Sequence, residues 1–204
     1  MKKMIKWMLA FAMVVGMAGC NKEKEEEEEV VEEEEVSVVT YRELSNPTDL
    51  LAQIYTDLME AYESGSKDEV ELAAAYFACD FFTWSNKSER EDIGGINLVL
   101  PDVREDFASY ALRDYYVNFA ELLEQNGAKK LPEVIDYKVV ENKASDYIYE
   151  GAGYENATYK DITLQLTYKD SKVFDVNELK SEMTITLLKT DTIWYVVGVD
   201  YENA

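Results

Sequence analysis

Thr158-Tyr159-Lys160-Asp161-Ile162-Thr163-Leu164-Gln165-Leu166-Thr167-Tyr168-Lys169 is the stretch whose reading decides the fold. Ile162, Leu164, Leu166 and Tyr168 alternate with Thr163, Gln165 and Thr167, the period of a strand with one buried face. The same period recurs on both sides. Upstream, Ile135, Tyr137 and Val139 alternate with Asp136 and Lys138, and Tyr147 and Tyr149 mark a short second run. Downstream, Met183, Ile185 and Leu187 mark one strand, and Ile193, Tyr195, Val197 and Val199 the last. Turn residues at Gly151-Ala152-Gly153, Lys169-Asp170-Ser171 and Thr190-Asp191 separate these runs, so the chain from Pro132 onward predicts consecutive antiparallel strands.

Before Pro132 the period is 3.6. Asn46-Pro47-Thr48-Asp49 reads as a helix start, with Asn46 as the cap and Pro47 at the first helical position. Leu51, Ile54, Tyr55, Leu58 and Tyr62 then share one face, and Gly65 ends the helix. Ser66 to Glu69 has the form of a capping box for a second helix, with Val70, Ala74, Phe77, Phe81 and Trp84 as its stripe. Residues 85–98 read as a loop carrying Gly94-Gly95, and Pro101-Asp102 opens a third helix that runs to about Gln125, with Gly127 as its stop. Helices first and strands after, over residues 46–204, predict one α+β domain: about three helices on one face of a curved antiparallel sheet.

That order resembles the NTF2-like superfamily of cone-shaped α+β domains; a cystatin-like or family-specific α+β arrangement is the alternative. The resemblance covers residues 46–202 and rests on element order, without a sequence motif. It implies a concavity between sheet and helices that is either a ligand pocket or a filled core. In members that are enzymes, a pocket Asp, often with a His, moves the proton.

The first nineteen residues have a different character. Lys2, Lys3 and Lys6 precede an almost wholly apolar run from Trp7 to Met17, which is the pattern of an export signal and too short to span a bilayer. Met17-Ala18-Gly19-Cys20 follows, and it is similar to the lipobox of bacterial lipoproteins, with Met17 standing where leucine is more common. The resemblance implies that diacylglycerol is joined to the Cys20 thiol and that the leader, residues 1–19, is cleaved before it. Acyl chains on Cys20 would then anchor the chain to a cell membrane, facing outward; two or three chains hold stably where one is marginal.

Residues 20–45 read as a tether. Asn21 to Val36 holds ten Glu against two Lys, and like charges at that density keep a chain extended and solvated. The whole chain of 204 residues carries a formal charge of −22. Losing Lys2, Lys3 and Lys6 with the leader takes this to −25, and setting aside the −8 of the glutamate run leaves −17 on the folded part. Nucleic acid is therefore not an expected partner, because phosphate recognition needs clustered Lys and Arg. A hydrophobic fraction of 47% and fifteen tyrosines are enough for a packed core.

The chain has no histidine, which removes the commonest general base and metal ligand. No cofactor and no metal site are expected. Cys79 reads as a small core residue. Two groups are candidates for ligand binding. Tyr147, Tyr149, Tyr154 and Tyr159 cluster in sequence around a glycine turn and could hold a sugar or a peptide, or could simply pack. Asp80, between Cys79 and Phe81, is the acid best placed for carboxylate chemistry, although the pattern puts it on the solvated edge of its helix. The functional expectations are a cell-surface binding or adaptor domain for a small-molecule, wall or protein ligand; a structural envelope lipoprotein; or a carboxylate-dependent enzyme.

Overall fold

The computed structural model describes residues 40–151 and 153–200; the leader, Cys20 and the glutamate run lie outside the described residues. Within them are helices α1 (Asp49–Ser64), α2 (Glu69–Phe82), α3 (Arg104–Tyr110) and α4 (Phe119–Asn126), followed by strands β1 (Val134–Ala144), β2 (Thr158–Tyr168), β3 (Glu182–Lys189) and β4 (Trp194–Asp200). The strands form an antiparallel meander in chain order, β1-β2-β3-β4, that does not close into a barrel. This is the α+β class that the change of period predicts.

Helix α1 begins two residues later than expected. Thr48 is its cap, accepting the Leu51 amide at 3.3 Å, and the Asn46 amide instead donates to the Asn86 carbonyl at 2.8 Å. The helix buries Leu51, Ile54, Leu58 and Ala61, and each large side chain removed from water contributes roughly 1.5–3 kcal/mol. Gly65, at φ 67°, ends it: Ser66 N–H donates back to Ala61 at 2.9 Å and Gly65 N–H to Tyr62 at 3.2 Å, the Schellman pattern.

Helix α2 is the centre of the molecule. Twelve of its fourteen residues are buried, so it has no solvated face, and it lies across all four strands with α1 beside it. The expected capping box does not form. Ser66 accepts the Asp68 amide at 3.1 Å, and Glu69 is buried, accepting from Tyr41 at 2.8 Å and from Lys189 at 2.8 Å. A carboxylate with two such donors gains more from them than from reaching back to a cap. Tyr41 is 2% exposed and also receives the Trp194 amide at 3.1 Å, so the folded part begins by Tyr41 rather than at residue 46.

The expected third helix is three pieces. A 3-10 turn at Pro101–Val103 leads into α3, a π-turn at Ala111–Tyr115 widens it, and α4 restarts at Phe119. The Tyr116 amide reaches the Ala111 carbonyl at 2.8 Å, the five-residue step of a π-turn. The widening delivers Tyr116 into the core, where its hydroxyl donates to the Phe81 carbonyl at 2.7 Å and accepts the Gly94 amide at 3.2 Å. Trp84, Tyr115 and Phe119 stack around it at ring-centre distances of 5.4–6.0 Å.

In the sheet, β2 and β3 keep the expected alternation, with Ile162, Leu164, Leu166, Met183, Ile185 and Leu187 all buried. In β1 a register shift between Val134 and Asp136 turns Ile135 outward, 47% exposed, and puts Val134 in the core in its place. In β4 a shift at Thr186/Leu187 buries Val196 where Val197 was expected. Tyr147 and Tyr149 form no strand; they belong to the connection between β1 and β2. The outer edge of β4 is covered by the segment before α3: Val99 bridges Val196, and Leu100 N–H donates to the Val196 carbonyl at 2.9 Å.

Candidate functional site

A cleft of about 490 Å³ opens beside the β4 edge. Its floor is the α2 stretch from Tyr76 to Asp80. One wall is the segment 40–45, and the other is the chain from Glu91 to Arg104. The first wall is fastened along its length. Tyr41 holds it to Trp194, the Tyr76 hydroxyl donates to the Arg42 carbonyl at 3.1 Å, and Asn46 holds it to Asn86. The second wall is fastened where Gly95 N–H meets Asp80 at 2.6 Å and where Leu100 meets β4.

Asp80 is not on a solvated edge. It is 2% exposed, and Lys87, 3% exposed, is its ion-pair partner. Besides Lys87, its oxygens accept from Gly95 N–H and, more distantly, from the Asn86 amide at 3.4 Å. Lys87 also donates to the Asn86 side chain at 3.0 Å. The reason is α2 itself: a helix buried all round has no outer edge, so the acid on it must be paired. The partner comes from the loop 85–98, and Gly94-Gly95 lets that loop press on the helix. A Cβ on Gly94 would lie 2.1 Å from the Asp80 carbonyl oxygen, and Gly95 sits at φ +69°. A lysine and two glycines in the loop 85–98 were the signal in the sequence, and no local pattern ties them to Asp80.

The charged groups of the cleft are sorted by position. At the end near β4 are Arg42, Arg104 and Tyr195. Arg104 is held in place by carbonyls, with Nη2 at 3.0 Å and Nε at 3.3 Å from Val99 and Nη2 at 3.3 Å from Asn97. No described carboxylate lies within ion-pair distance of Arg42 or Arg104. Burial raises the Tyr195 phenol above its ordinary pKa, and the two guanidinium groups pull it back down, so both act on its hydroxyl. At the other end, around the C-terminal turn of α2, Glu91 and Asp92 are exposed and line the cleft above Asp80. Glu43 lies on the rim. Burial and then the Asp80 charge raise the Tyr76 phenol, which holds its proton and donates it to Arg42.

The four tyrosines of the β1–β2 connection do come together, apart from Asp80. Tyr159 is the buried hub: its hydroxyl accepts the Tyr149 amide at 3.2 Å and donates to the Tyr154 carbonyl at 3.1 Å. Tyr147 meets its ring edge-on at 6.5 Å, and Tyr149 pairs with Tyr154 at 5.8 Å. Only Tyr147, 48% exposed, presents a large open face. These hydrogen bonds close the connection on itself, and the cluster reads first as packing. Burial raises the Tyr154 phenol, with smaller contributions from Asp102 and then from Tyr149 and Tyr195, which places the cluster near the basic end of the cleft.

Cys79 is fully buried on α2, and burial pushes its thiol well above the usual range. Among the described residues no group of His, Cys, Asp or Glu side chains is placed to hold a metal ion, and no helix is long and apolar enough to cross a membrane. No protein-family model, curated protein or solved structure matches this chain.

Proposed function

We propose that the chain is an exported, lipid-anchored bacterial lipoprotein whose folded part is a binding module held outward from the membrane on a glutamate-rich tether. The anchor rests on the order of the leader: three lysines, an apolar run too short to span, then Met17-Ala18-Gly19-Cys20. The binding role rests on one observation, a cleft of about 490 Å³ whose buried floor carboxylate is already paired while the guanidinium groups on its walls have no carboxylate partner among the described residues. Concave sites of this size with a few convergent polar groups are the usual form of a small-ligand site. Asp80 is committed to Lys87 and Gly95, which favours binding over proton transfer by that carboxylate. Helices preceding an open antiparallel sheet are consistent with an NTF2-like domain, and the cleft would then sit at the edge of the cone.

Two measurements test this reading. Expression of the full chain in bacteria fed a clickable palmitate should give a labelled product, and Cys20→Ser should carry no label; an unlabelled wild-type chain would remove the anchor. Native mass spectrometry of the chain in detergent, after exposure to cell extract, should show an added mass of roughly a few hundred daltons. A bare mass under those conditions would count against the binding role and favour a structural lipoprotein.

A further inference from the structure

Charged and apolar side chains both line the cleft, and the charges at its two ends have opposite sign. Arg42 and Arg104 stand with the Tyr195 hydroxyl near the start of β4, where Arg104 is fixed by the Val99 and Asn97 carbonyls. Glu91 and Asp92 stand over the C-terminal turn of α2. The order of the fastenings sets this polarity: Tyr41 meets Trp194 at one end of the first wall, and Asn46 meets Asn86 at the other. Along the floor, the four helical steps from Tyr76 to Asp80 rise about 6 Å.

Net charge decides which ligand fits. The chain carries −22, so a simple anion is repelled at long range however well the guanidinium groups would hold it. A simple cation would be drawn in but would leave two guanidinium groups and a phenol unused. A molecule with a carboxylate at one end and an ammonium at the other matches both ends and is neutral on approach. A single amino acid would leave most of about 490 Å³ empty, whereas a peptide of a few residues, at about 3.3–3.6 Å per residue, fills more of it.

We propose that the cleft binds short peptides by their free termini, with the C-terminal carboxylate on Arg42, Arg104 and the Tyr195 hydroxyl and the N-terminal ammonium on Glu91 and Asp92. This rests on the cleft being a ligand site. Carboxylate–guanidinium pairing is bidentate and charge-assisted, so the C-terminal end supplies most of the orientation. The side chains in between meet Ile93, Ile96 and Leu98, which fits a preference for length and polarity over sequence.

The test uses the full chain in detergent and a pool of randomised tripeptides, compared with the same pool N-acetylated or C-amidated, with free alanine alongside. Bound peptide is read by native mass spectrometry. The free pool should bind one to one, and capping either end should weaken binding by about tenfold or more, the effect of losing one charge-assisted contact. Arg42→Gln changes an exposed side chain that makes no hydrogen bond among the described residues, so the fold is kept. It should reduce the difference between the free and amidated pools, with Arg104 and Tyr195 left in place; Asp92→Asn should reduce the difference between the free and acetylated pools, with Glu91 left in place. Equal binding of capped and free pools overturns the assignment, and so does free alanine binding as tightly as the pool. If no pool binds but a molecule from cell extract does, and Arg42→Gln releases it, the cleft remains a ligand site and the peptide assignment falls. If neither pools nor extract bind, both readings fall.

Discussion

Replacing Lys87 by Met tests whether the loop 85–98 is held to α2 by charge. The Lys87–Asp80 pair is dry on both sides, each side chain being 3% exposed. Methionine fills much of the lysine stem's volume, so little packing is lost and the change isolates the ammonium. It leaves the Asp80 carboxylate buried with only Gly95 N–H and a long contact to Asn86. Breaking one side of a buried pair costs about 3–5 kcal/mol, and the Gly95 hydrogen bond puts this case near the lower figure. For a domain of this size about 3 kcal/mol lowers Tm by roughly 6–12 °C. Urea and thermal melts followed by circular dichroism at pH 7 measure it. Asp80→Asn with Lys87→Met should cost much less than the two single changes together, because no charge is then stranded. A loss under about 1 kcal/mol for Lys87→Met would refute the reasoning, since it would mean that water reaches Asp80 once the ammonium is gone.

Two further outcomes follow from burial. Tyr41, Tyr76, Tyr116 and Tyr168 have phenols raised above the ordinary range chiefly by burial, so the folded chain keeps protons that the unfolded chain releases. That stability is whole below about pH 10 and is lost above it at roughly 1.4 kcal/mol per pH unit for each group, or about 5–6 for the four. Part of the tyrosinate absorbance should therefore rise in one steep step together with loss of circular dichroism near pH 11; a rise that reaches completion while the dichroism stays native would contradict it. Gly94→Ala should reduce soluble yield or cost more than about 3 kcal/mol, because its Cβ meets the Asp80 backbone, while Gly65→Ala, with nothing within 4 Å, should cost only the roughly 1–2 kcal/mol of a left-handed residue. Paired thermal melts of the two variants decide it.

The class of fold was legible because period survives translation into structure: β2 buries the residues its pattern marks, and α1 buries Leu51, Ile54 and Leu58 and half-buries Tyr55 and Tyr62. What was not legible depended on partners far away in sequence. Asn46 and Glu69 have the chemistry of helix caps, but Asn86, Tyr41 and Lys189 compete for them across 40, 28 and 120 residues. The break in the third helix comes from Tyr116 finding the Phe81 carbonyl, a contact no local pattern announces. Ile135 and Val197 alternate correctly but sit at shifts in strand register, which invert the face of a residue without altering its composition. For the site, Asp80 was singled out as an acid on an aromatic helix and the structure puts it in the cleft floor, with its role turned from chemistry to scaffolding. Arg42 and Arg104 went unremarked because they are 62 residues apart and neither belongs to a motif.

The first wall of the cleft is also the first folded stretch of chain after residue 40. Tension drawn along the backbone from the N-terminal side would reach Tyr41 before any of the described helices or strands. The wall is held there by side-chain hydrogen bonds, of Tyr41 with Trp194 and Glu69 and of Tyr76 with the Arg42 carbonyl, not by a ladder of backbone bonds. Such bonds break one at a time under a peeling load, whereas α2 and the sheet would resist until they gave way together. A modest pull would therefore open the cleft and leave the rest of the domain standing, making occupancy of the cleft sensitive to force.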